Sequence, residues 1–317
     1  MEMLRHTIQP QEDGWRISRI LRGVMHVSAT QLKTARWHDC IRLDGVSARA
    51  TDYVHAGQEL VMLLETPAPL YHPTPWPLPL CIPYQDEALL VVDKPAPLPS
   101  QSSQRQPDNT LENALCAWAG NSPDYIYRPV NRLDKGTSGL MVVAQNAHTQ
   151  QLLQMQLHTP DMCREYLAIT DGAPADDSGV IDLPIGKAAG ATVRRCIDPC
   201  GKPARTHYRV LHRADGRALI ALRLETGRTH QIRVHLASLG CPVTGDFLYG
   251  TERAELPSRF ALHSHRLQLR HPLTGQLLIL CSPLPPELSV LLPDGCPMPG
   301  LSTDPLCCTR PDTSAFD

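Results

Sequence analysis

The sequence lacks any long apolar run. No stretch approaches the ~18 consecutive apolar residues that a membrane-spanning helix needs, and the opening residues, MEMLRHTIQPQEDG, contain no apolar signal core. We therefore expect a cytoplasmic protein without a membrane partner. The 317 residues are enough for one large or two modest domains with real cores.

Two common kinds of site also have no support in the sequence. The 11 cysteines form no C-x-x-C pair, and Cys196 and Cys200 have no histidines at zinc spacing. We therefore expect no metal site. The G-x-x-x-x-G-K-[S/T] loop of many phosphate-binding enzymes is also missing from the sequence, which argues against a phosphoryl-transfer enzyme.

The chain has little net charge, but its basic residues are clustered. The formal net charge is −2, whereas residues 202–233 carry a local charge of +6 and residues 16–49 a local charge of +5. Basic clusters in a near-neutral chain are typical of phosphate contacts. A solvated basic face would explain either cluster if it stood alone.

Composition and periodicity divide the chain into four parts. Residues 1–65 predict two short helices and a small sheet, because the apolar residues of 17–24 recur at helical spacing, Ser28 and Gln31 form an N-cap pair, and Asp44-Gly45 predicts a strand pair. Residues 66–83 hold seven prolines and predict a semi-rigid linker. Residues 84–284 form the large domain. Residues 285–317 lack periodicity and predict a disordered tail.

The large domain mixes strands and helices without a regular alternation, which favours an α+β fold over a doubly wound sheet. The predicted strands are Ala88–Val92, Leu140–Ala144, Tyr166–Thr170, Ala218–Leu224 and Leu277–Leu280, and the predicted helices are Leu111–Ala119 and Thr149–Leu157.

Asp134 is a candidate for carboxylate chemistry. Arg132 and Lys135 lie beside it and favour its ionised form, which suits a nucleophile or a general base. Taken alone, an R-L-D sequence is more often a structural ion pair. The segment TGRTHQIRVH predicts a helix start that binds phosphate. The residues by themselves therefore indicate an anionic substrate and carboxylate chemistry.

Four segments, in this order, resemble the RluA-type family of RNA pseudouridine synthases. They are EALLVVDKPAPLPS, NRLDKGTSGLMVVAQN, CREYLAI and GRTHQIRVHLASLGCPVTGDFLYG. The resemblance implies the pseudouridine synthase fold, a mixed, largely antiparallel central sheet with flanking helices. Residues 1–65 also resemble an S-four-type RNA-binding module, which is a small α/β unit.

The resemblance also implies roles for individual residues. Asp134 falls on the catalytic aspartate, Tyr166 on the active-site tyrosine, and Arg233 on the arginine that pairs with the aspartate. Arg132 falls on the arginine that accompanies the flipped-out base. The residues expected to bind the RNA substrate are Arg132, Arg228, His230 and Gln231.

Four positions depart from the family pattern. Asn131 stands in place of His, Pro97 in place of Gly, Gln145 in place of Lys, and Arg164 where Lys is common. Asp134, Tyr166 and Arg233 are all retained, so we expect activity. We expect Asn131 to affect the choice of target.

The implied activity is the isomerisation of uridine in structured RNA. This reaction oxidises nothing and imports no group, so it needs no cofactor or metal. We expect a monomer that acts on ribosomal RNA of the large subunit, with transfer RNA left open as a target. The alternative is a catalytically idle RNA-binding protein on the same fold.

Overall fold

A computed structural model of the chain describes residues 2–35, 40–64, 71–157 and 159–292. In these ranges the longest helix has ten residues, and no helix is long and apolar enough to cross a membrane. The described residues form two units, each with its own sheet and hydrophobic core.

The N-terminal unit is a four-stranded antiparallel sheet packed against two short helices, with the strand order β1-β4-β2-β3. Its elements are β1 (Glu2–Thr7), α1 (Ile17–Gly23), α2 (Ala29–Ala35), β2 (Ile41–Leu43), β3 (Val46–Ser47) and β4 (Glu59–Leu64), with a 3-10 turn at Pro10–Glu12.

The local sequence signals in this unit have clear structural counterparts. Ile17, Ile20 and Leu21 are fully buried on one face of α1. The Ser28 hydroxyl accepts the Gln31 backbone N–H, and the Gln31 side chain accepts the Ser28 N–H, so the N-cap pair of α2 is present. Asp44 and Gly45 both have positive φ, which the tight turn between β2 and β3 requires.

Residues 71–80 contact the C-terminal unit and lie within the stretch predicted as a linker. Asn113 donates its side-chain amide to the Thr74 carbonyl, and the Trp76 backbone N–H donates to the Asn113 carbonyl. Trp76 also packs against the main core. A strand then begins at Cys81, three residues before the predicted domain start at 84. Residues 71–80 are therefore joined to the C-terminal unit by direct contacts. Residues 65–70 lie outside the described residues.

The C-terminal unit is built on a nine-stranded mixed sheet. Its strands are β5 (Cys81–Gln85), β6 (Leu89–Lys94), β7 (Ser138–Ala144), β8 (Cys163–Asp171), β9 (Ser178–Asp182), β12 (Arg205–Ala214), β13 (Arg217–Leu224), β14 (Leu262–Arg270) and β15 (Leu277–Cys281). The order is β5-β6-β7-β14-β8-β13-β12-β9, with β15 also paired to β14. Strands β10 (Ile185–Lys187) and β11 (Arg195–Ile197) form a separate pair, and the helices are α3 (Leu111–Trp118), α4 (Ala147–Gln156), α5 (Gln231–Ser238) and α6 (Pro286–Ser289).

The predicted α+β class with a largely antiparallel sheet is confirmed. Of the strand pairs in the large sheet, β7 with β14 is parallel and the others are antiparallel. Gly139 permits the parallel contact, because it has φ +107° and a Cβ there would lie 2.3 Å from the Ser264 carbonyl oxygen. All five strands and both helices predicted in the large domain occur, with small shifts of their ends.

The first residues of the predicted tail are folded, which corrects the prediction of disorder from residue 285. Residues 286–289 form α6, Leu288 is fully buried in the main core, and Arg259 forms an ion pair with Glu287. The apolar Leu284 and Leu288 anchor the segment in the main hydrophobic core. Residues 293–317 of the predicted tail lie outside the described residues.

Candidate active site

A cleft of about 630 Å³ brings together every residue that the sequence nominated as part of the site. Loop 129–137, strand β8 and the turn before α5 each supply part of its lining. The nominated residues that line it are Arg132, Asp134, Tyr166, Arg228, His230, Gln231 and Arg233.

The loop that carries Asp134 is held by the segment after β6. The Ser100 hydroxyl donates to the Leu133 carbonyl at 2.6 Å and accepts the Leu133 N–H at 3.2 Å. The backbone N–H of Leu98 donates to the Lys135 carbonyl at 2.9 Å. Because these hydrogen bonds hold the residues on both sides of Asp134, the segment VDKPAPLPS positions the Asp134 carboxylate.

Lys94 holds the segment after β6 through hydrogen bonds to its backbone. Its side chain is fully buried, and its ammonium donates to the carbonyls of Leu98 and Pro95. Burial lowers the pKa of Lys94 to about 7, although the negative charge of Asp134 opposes this fall. Lys94 thus places a buried amine, which can carry a positive charge, close to the carboxylate.

Arg233 is the ion-pair partner of Asp134. Its Nη1 lies 3.1 Å from Asp134 Oδ2, and the guanidinium carbon lies 4.1 Å from the centre of the Phe260 ring. The Arg233 side chain is 2 % exposed, whereas that of Asp134 is 28 % exposed. A buried cation therefore faces a carboxylate that remains open to the cleft.

Asp246, which the sequence analysis did not nominate, fixes the orientation of Arg233. It is fully buried and accepts Arg233 Nε at 2.7 Å and Nη2 at 2.8 Å, which leaves Nη1 for Asp134. Burial alone would lower the pKa of Arg233, but hydrogen bonds and charge attraction from Asp246, and then from Asp134, raise it overall. Asp246 lies in the quoted segment GDFLYG, yet nothing local in that segment indicates its partner.

His230 stands at the start of α5 in a left-handed conformation, with φ 59°. Its Nδ1 lies 2.8 Å from the Tyr249 hydroxyl, and its Nε2 lies 3.9 Å from Asp134 Oδ2. Burial, assisted by the charge of Arg233, lowers the pKa of His230. A neutral imidazole therefore borders the carboxylate at neutral pH.

Gln231 is committed to the protein itself. Its Oε1 accepts the Thr226 hydroxyl and the Arg228 N–H, while its Nε2 donates to the Arg205 carbonyl and the Thr206 hydroxyl. These contacts tie the start of α5 to β12, so they support a positioning role for Gln231 in place of the expected contact with RNA.

Tyr166 lies in β8, is 4 % exposed, and belongs to the main hydrophobic cluster while lining the cleft. Burial raises the pKa of Tyr166, against the opposing charge of Arg164. The hydroxyl therefore stays protonated at neutral pH. Arg132 lies two residues before Asp134, and its side chain is exposed at the cleft.

Asn131 shows how the departure from the family pattern is accommodated. Its Oδ1 accepts the Val142 N–H at 2.9 Å, whereas its Nδ2 is buried and has no hydrogen-bond partner in the part of the chain that the structure describes. Asn131 lines the cleft, so this amide is a polar group that a substrate could satisfy.

Across the ranges that the structure describes, no cluster of three or more His, Cys, Asp or Glu side chains could hold a metal ion.

Comparison with known proteins places this cleft in a family. The family model described as RNA pseudouridylate synthase matches residues 88–238, which include Asp134, Tyr166 and Arg233. Ribosomal large subunit pseudouridine synthase D of Nitrosomonas europaea is 39% identical over 267 residues, covering 80% of this chain and 76% of that protein. The chain belongs to the RluA-type family of RNA pseudouridine synthases. It is accordingly an RNA pseudouridine synthase, as the sequence predicts.

Further matches cover more of the chain and extend to solved structures. An uncharacterized RNA pseudouridine synthase of Bacillus subtilis, YhcT, is 33% identical over 288 residues, which are 90% of this chain and 94% of that protein. The structure of human RNA pseudouridylate synthase domain containing 1 superposes with a TM-score of 0.55 at 28% identity, covering 66% of this synthase and 86% of that chain. The predicted pseudouridine synthase fold is thereby confirmed.

Proposed function

We propose that this synthase isomerises a uridine of large-subunit ribosomal RNA and that Asp134 is its catalytic carboxylate. The observation that carries the proposal is the ion pair of Asp134 with the buried Arg233, at 3.1 Å, inside the cleft that Tyr166 also lines. Arg233 is held by Asp246, so the cation that pairs with Asp134 is already in place before substrate arrives.

In this proposal Asp134, Tyr166 and Arg132 act directly on the substrate. The reaction breaks the bond between uracil N1 and ribose carbon 1′, turns the base and joins it again through carbon 5. Asp134 acts as the ionised carboxylate, and Tyr166 holds the uracil by stacking while it turns. Arg132 is exposed at the cleft and fills the space that the flipped base leaves, which offsets part of the few kcal/mol that unstacking costs.

We further propose that the N-terminal unit is an S-four-type module that contacts RNA phosphates. A second concave surface lies on this unit and is lined by Trp15, Tyr53 and three arginines, Arg16, Arg19 and Arg22. Arg19 stacks on Trp15 at 3.5 Å, and Arg16 lies 5.6 Å from the centre of the exposed Tyr53 ring. Arginines beside aromatic rings that are wholly or partly exposed suit a nucleic acid, which offers both phosphates and bases.

The choice of ribosomal RNA rests on the names of relatives. Proteins named ribosomal large subunit pseudouridine synthase D, from Nitrosomonas europaea and from Xanthomonas campestris, are 39% and 38% identical to this chain. Mapping pseudouridine across the total RNA of a deletion strain tests the choice. The proposal expects at least one site to disappear from large-subunit ribosomal RNA and to return with a plasmid copy. Loss confined to transfer RNA would contradict it.

A further inference from the structure

Arg164 is a buried cation in the cleft wall whose side chain has no partner among the described residues. It lies in β8, lines the cleft, and has 7 % of its surface exposed. Within the described ranges its side chain forms no ion pair and no hydrogen bond, and its Nε is buried without an acceptor. In the sequence, Arg164 differs from the family pattern in replacing a common lysine.

Three other buried arginines of the C-terminal unit form ion pairs. Arg233 has Asp246 and Asp134, Arg266 has Glu165 at 2.9 Å, and Arg259 has Glu287. A buried charge without a partner costs several kcal/mol, so proteins rarely keep one without a use. In a substrate cleft, the missing negative charge can be supplied by the ligand.

The position of Arg164 indicates which part of the substrate it meets. Residues 164 and 166 lie two apart in a strand, so their side chains project from the same face of the sheet. The charges of both Arg164 and Asp134 act on the Tyr166 hydroxyl. The guanidinium lies beside Gly227, where a Cβ would be 3.8 Å from Nη1. Arg164 therefore shares the end of the cleft that holds the tyrosine and the carboxylate.

We propose that Arg164 binds a carbonyl oxygen of the target uracil and stabilises the negative charge that the base acquires during the reaction. This inference rests on the proposed function of the cleft. When the bond from N1 to carbon 1′ breaks, its electron pair stays on N1 and spreads over O2 and O4. Joining through carbon 5 returns the pair to a new carbon–carbon bond, after which carbon 5 releases its proton. Addition of a carboxylate to carbon 6 would likewise place charge on O4.

A cation that meets this charge strengthens its contact as the reaction proceeds, which is the condition for catalysis. The depth of the site favours the base over a phosphate. Tyr166 and Arg164 are 4 % and 7 % exposed, whereas Arg132 is exposed at the cleft and available to the backbone. An unpaired guanidinium at that depth is reached by a flipped base more readily than by a phosphodiester at the mouth.

The test compares Arg164→Met with Arg164→Lys in the full chain. The substrate is a transcript that contains the mapped uridine, labelled with tritium at carbon 5. At saturating enzyme in single-turnover experiments, Arg164→Met should lose about 10²–10³-fold in rate, while its affinity for RNA changes little. Arg164→Lys keeps the charge and should recover part of the rate. Arg270→Met, at an exposed surface pair with Asp161 outside the cleft, is the control and should match the wild type.

Stability separates this role from a structural one. Arg164 has no partner to lose, so Arg164→Met should unfold at the same temperature as the wild type or higher. A strongly destabilised Arg164→Met would mean that the guanidinium supports the fold, and the proposal would be abandoned.

Substitution of single substrate atoms identifies the contact. Replacing O4 or O2 of the target uridine by sulfur weakens hydrogen bonding at that position, so one of the two changes should slow the wild type more than it slows Arg164→Met. Equal slowing in both enzymes for both changes would refute the contact with the base. If Arg164 held a phosphate, Arg164→Met would weaken binding, reduce the salt slope by about one unit and keep its saturating rate.

The two proposals can fail separately. An active Asp134→Asn variant would remove the proposed catalytic residue. A fully active Arg164→Met beside an inactive Asp134→Asn would remove this inference and leave the catalytic assignment untouched.

Discussion

Variants of the buried ion pair between Arg233 and Asp246 should separate the contribution of this pair to stability from its contribution to catalysis. Replacing Arg233 by Met would leave Asp246, which is fully buried, with two backbone N–H donors and no cation. Removal of one partner from a buried ion pair costs about 3–5 kcal/mol. For a domain of this size that loss corresponds to a fall of roughly 6–20 °C in the unfolding temperature.

The double variant Arg233→Met/Asp246→Asn removes both buried charges together. The double variant should lose less stability than the two single variants lose together, by ~2 kcal/mol or more, because neither buried charge is left without its partner. Its activity should stay as low as that of Arg233→Met, because Asp134 still lacks the guanidinium that lies 3.1 Å away in the wild type. The single variant Asp246→Asn keeps Arg233, so it should retain more activity than Arg233→Met or the double variant.

Thermal unfolding of the four proteins and single-turnover tritium release from the same RNA measure the two effects. Arg270→Met, which disrupts an exposed ion pair with Asp161, is the matched control and should change neither quantity appreciably. Additive losses of stability would show that Arg233 and Asp246 do not act as a pair. An active double variant would show that Arg233 is not needed beside Asp134.

Two further outcomes test the N-terminal unit and the buried histidine of β14. The triple change of Arg16, Arg19 and Arg22 to Gln should leave the saturating rate intact and reduce the slope of log affinity against log salt by roughly two units; an unchanged slope would remove these arginines from the RNA contact. Burial lowers the pKa of His263 to about 4, below its usual 6.5, so the neutral form is favoured in the folded state and stability should fall as pH drops from about 6.5 towards 4, by up to ~3 kcal/mol. Unfolding of His263→Gln should be less sensitive to pH in this window, and an equal sensitivity would exclude His263 as the cause.

The strands that the sequence predicted are those with apolar runs. Strands β6 and β7 are buried along almost their whole length, so their sequences are continuous apolar segments. The central strand β14, LHSHRLQLR, was missed because its buried residues include polar ones. His263 bonds to Ser138 and to the Ser282 carbonyl, and Arg266 pairs with Glu165. Those partners lie far away in sequence, so no local pattern indicates that the strand is buried.

The same limit applies to the site. The resemblance to a family suggested the pair Asp134–Arg233, which joins positions 99 residues apart. It gave no role to Asp246, because that role depends on a turn packed under α5. Gln231 was expected to contact RNA from its place in a basic segment, yet four hydrogen bonds within the protein occupy its amide. The lack of a partner for Arg164 is a property of the packed cleft and has no sequence signal.

The most direct test of the account is the replacement of Asp134 by Asn. This change removes the charge and keeps the shape of a side chain that is 28 % exposed, so folding and RNA affinity should be nearly unchanged. Tritium release from carbon 5-labelled uridine in the mapped RNA should fall by a factor on the order of 10⁴ in single-turnover experiments. An Asp134→Asn enzyme that releases tritium at a rate close to that of the wild type would contradict the assignment of Asp134 as the catalytic carboxylate.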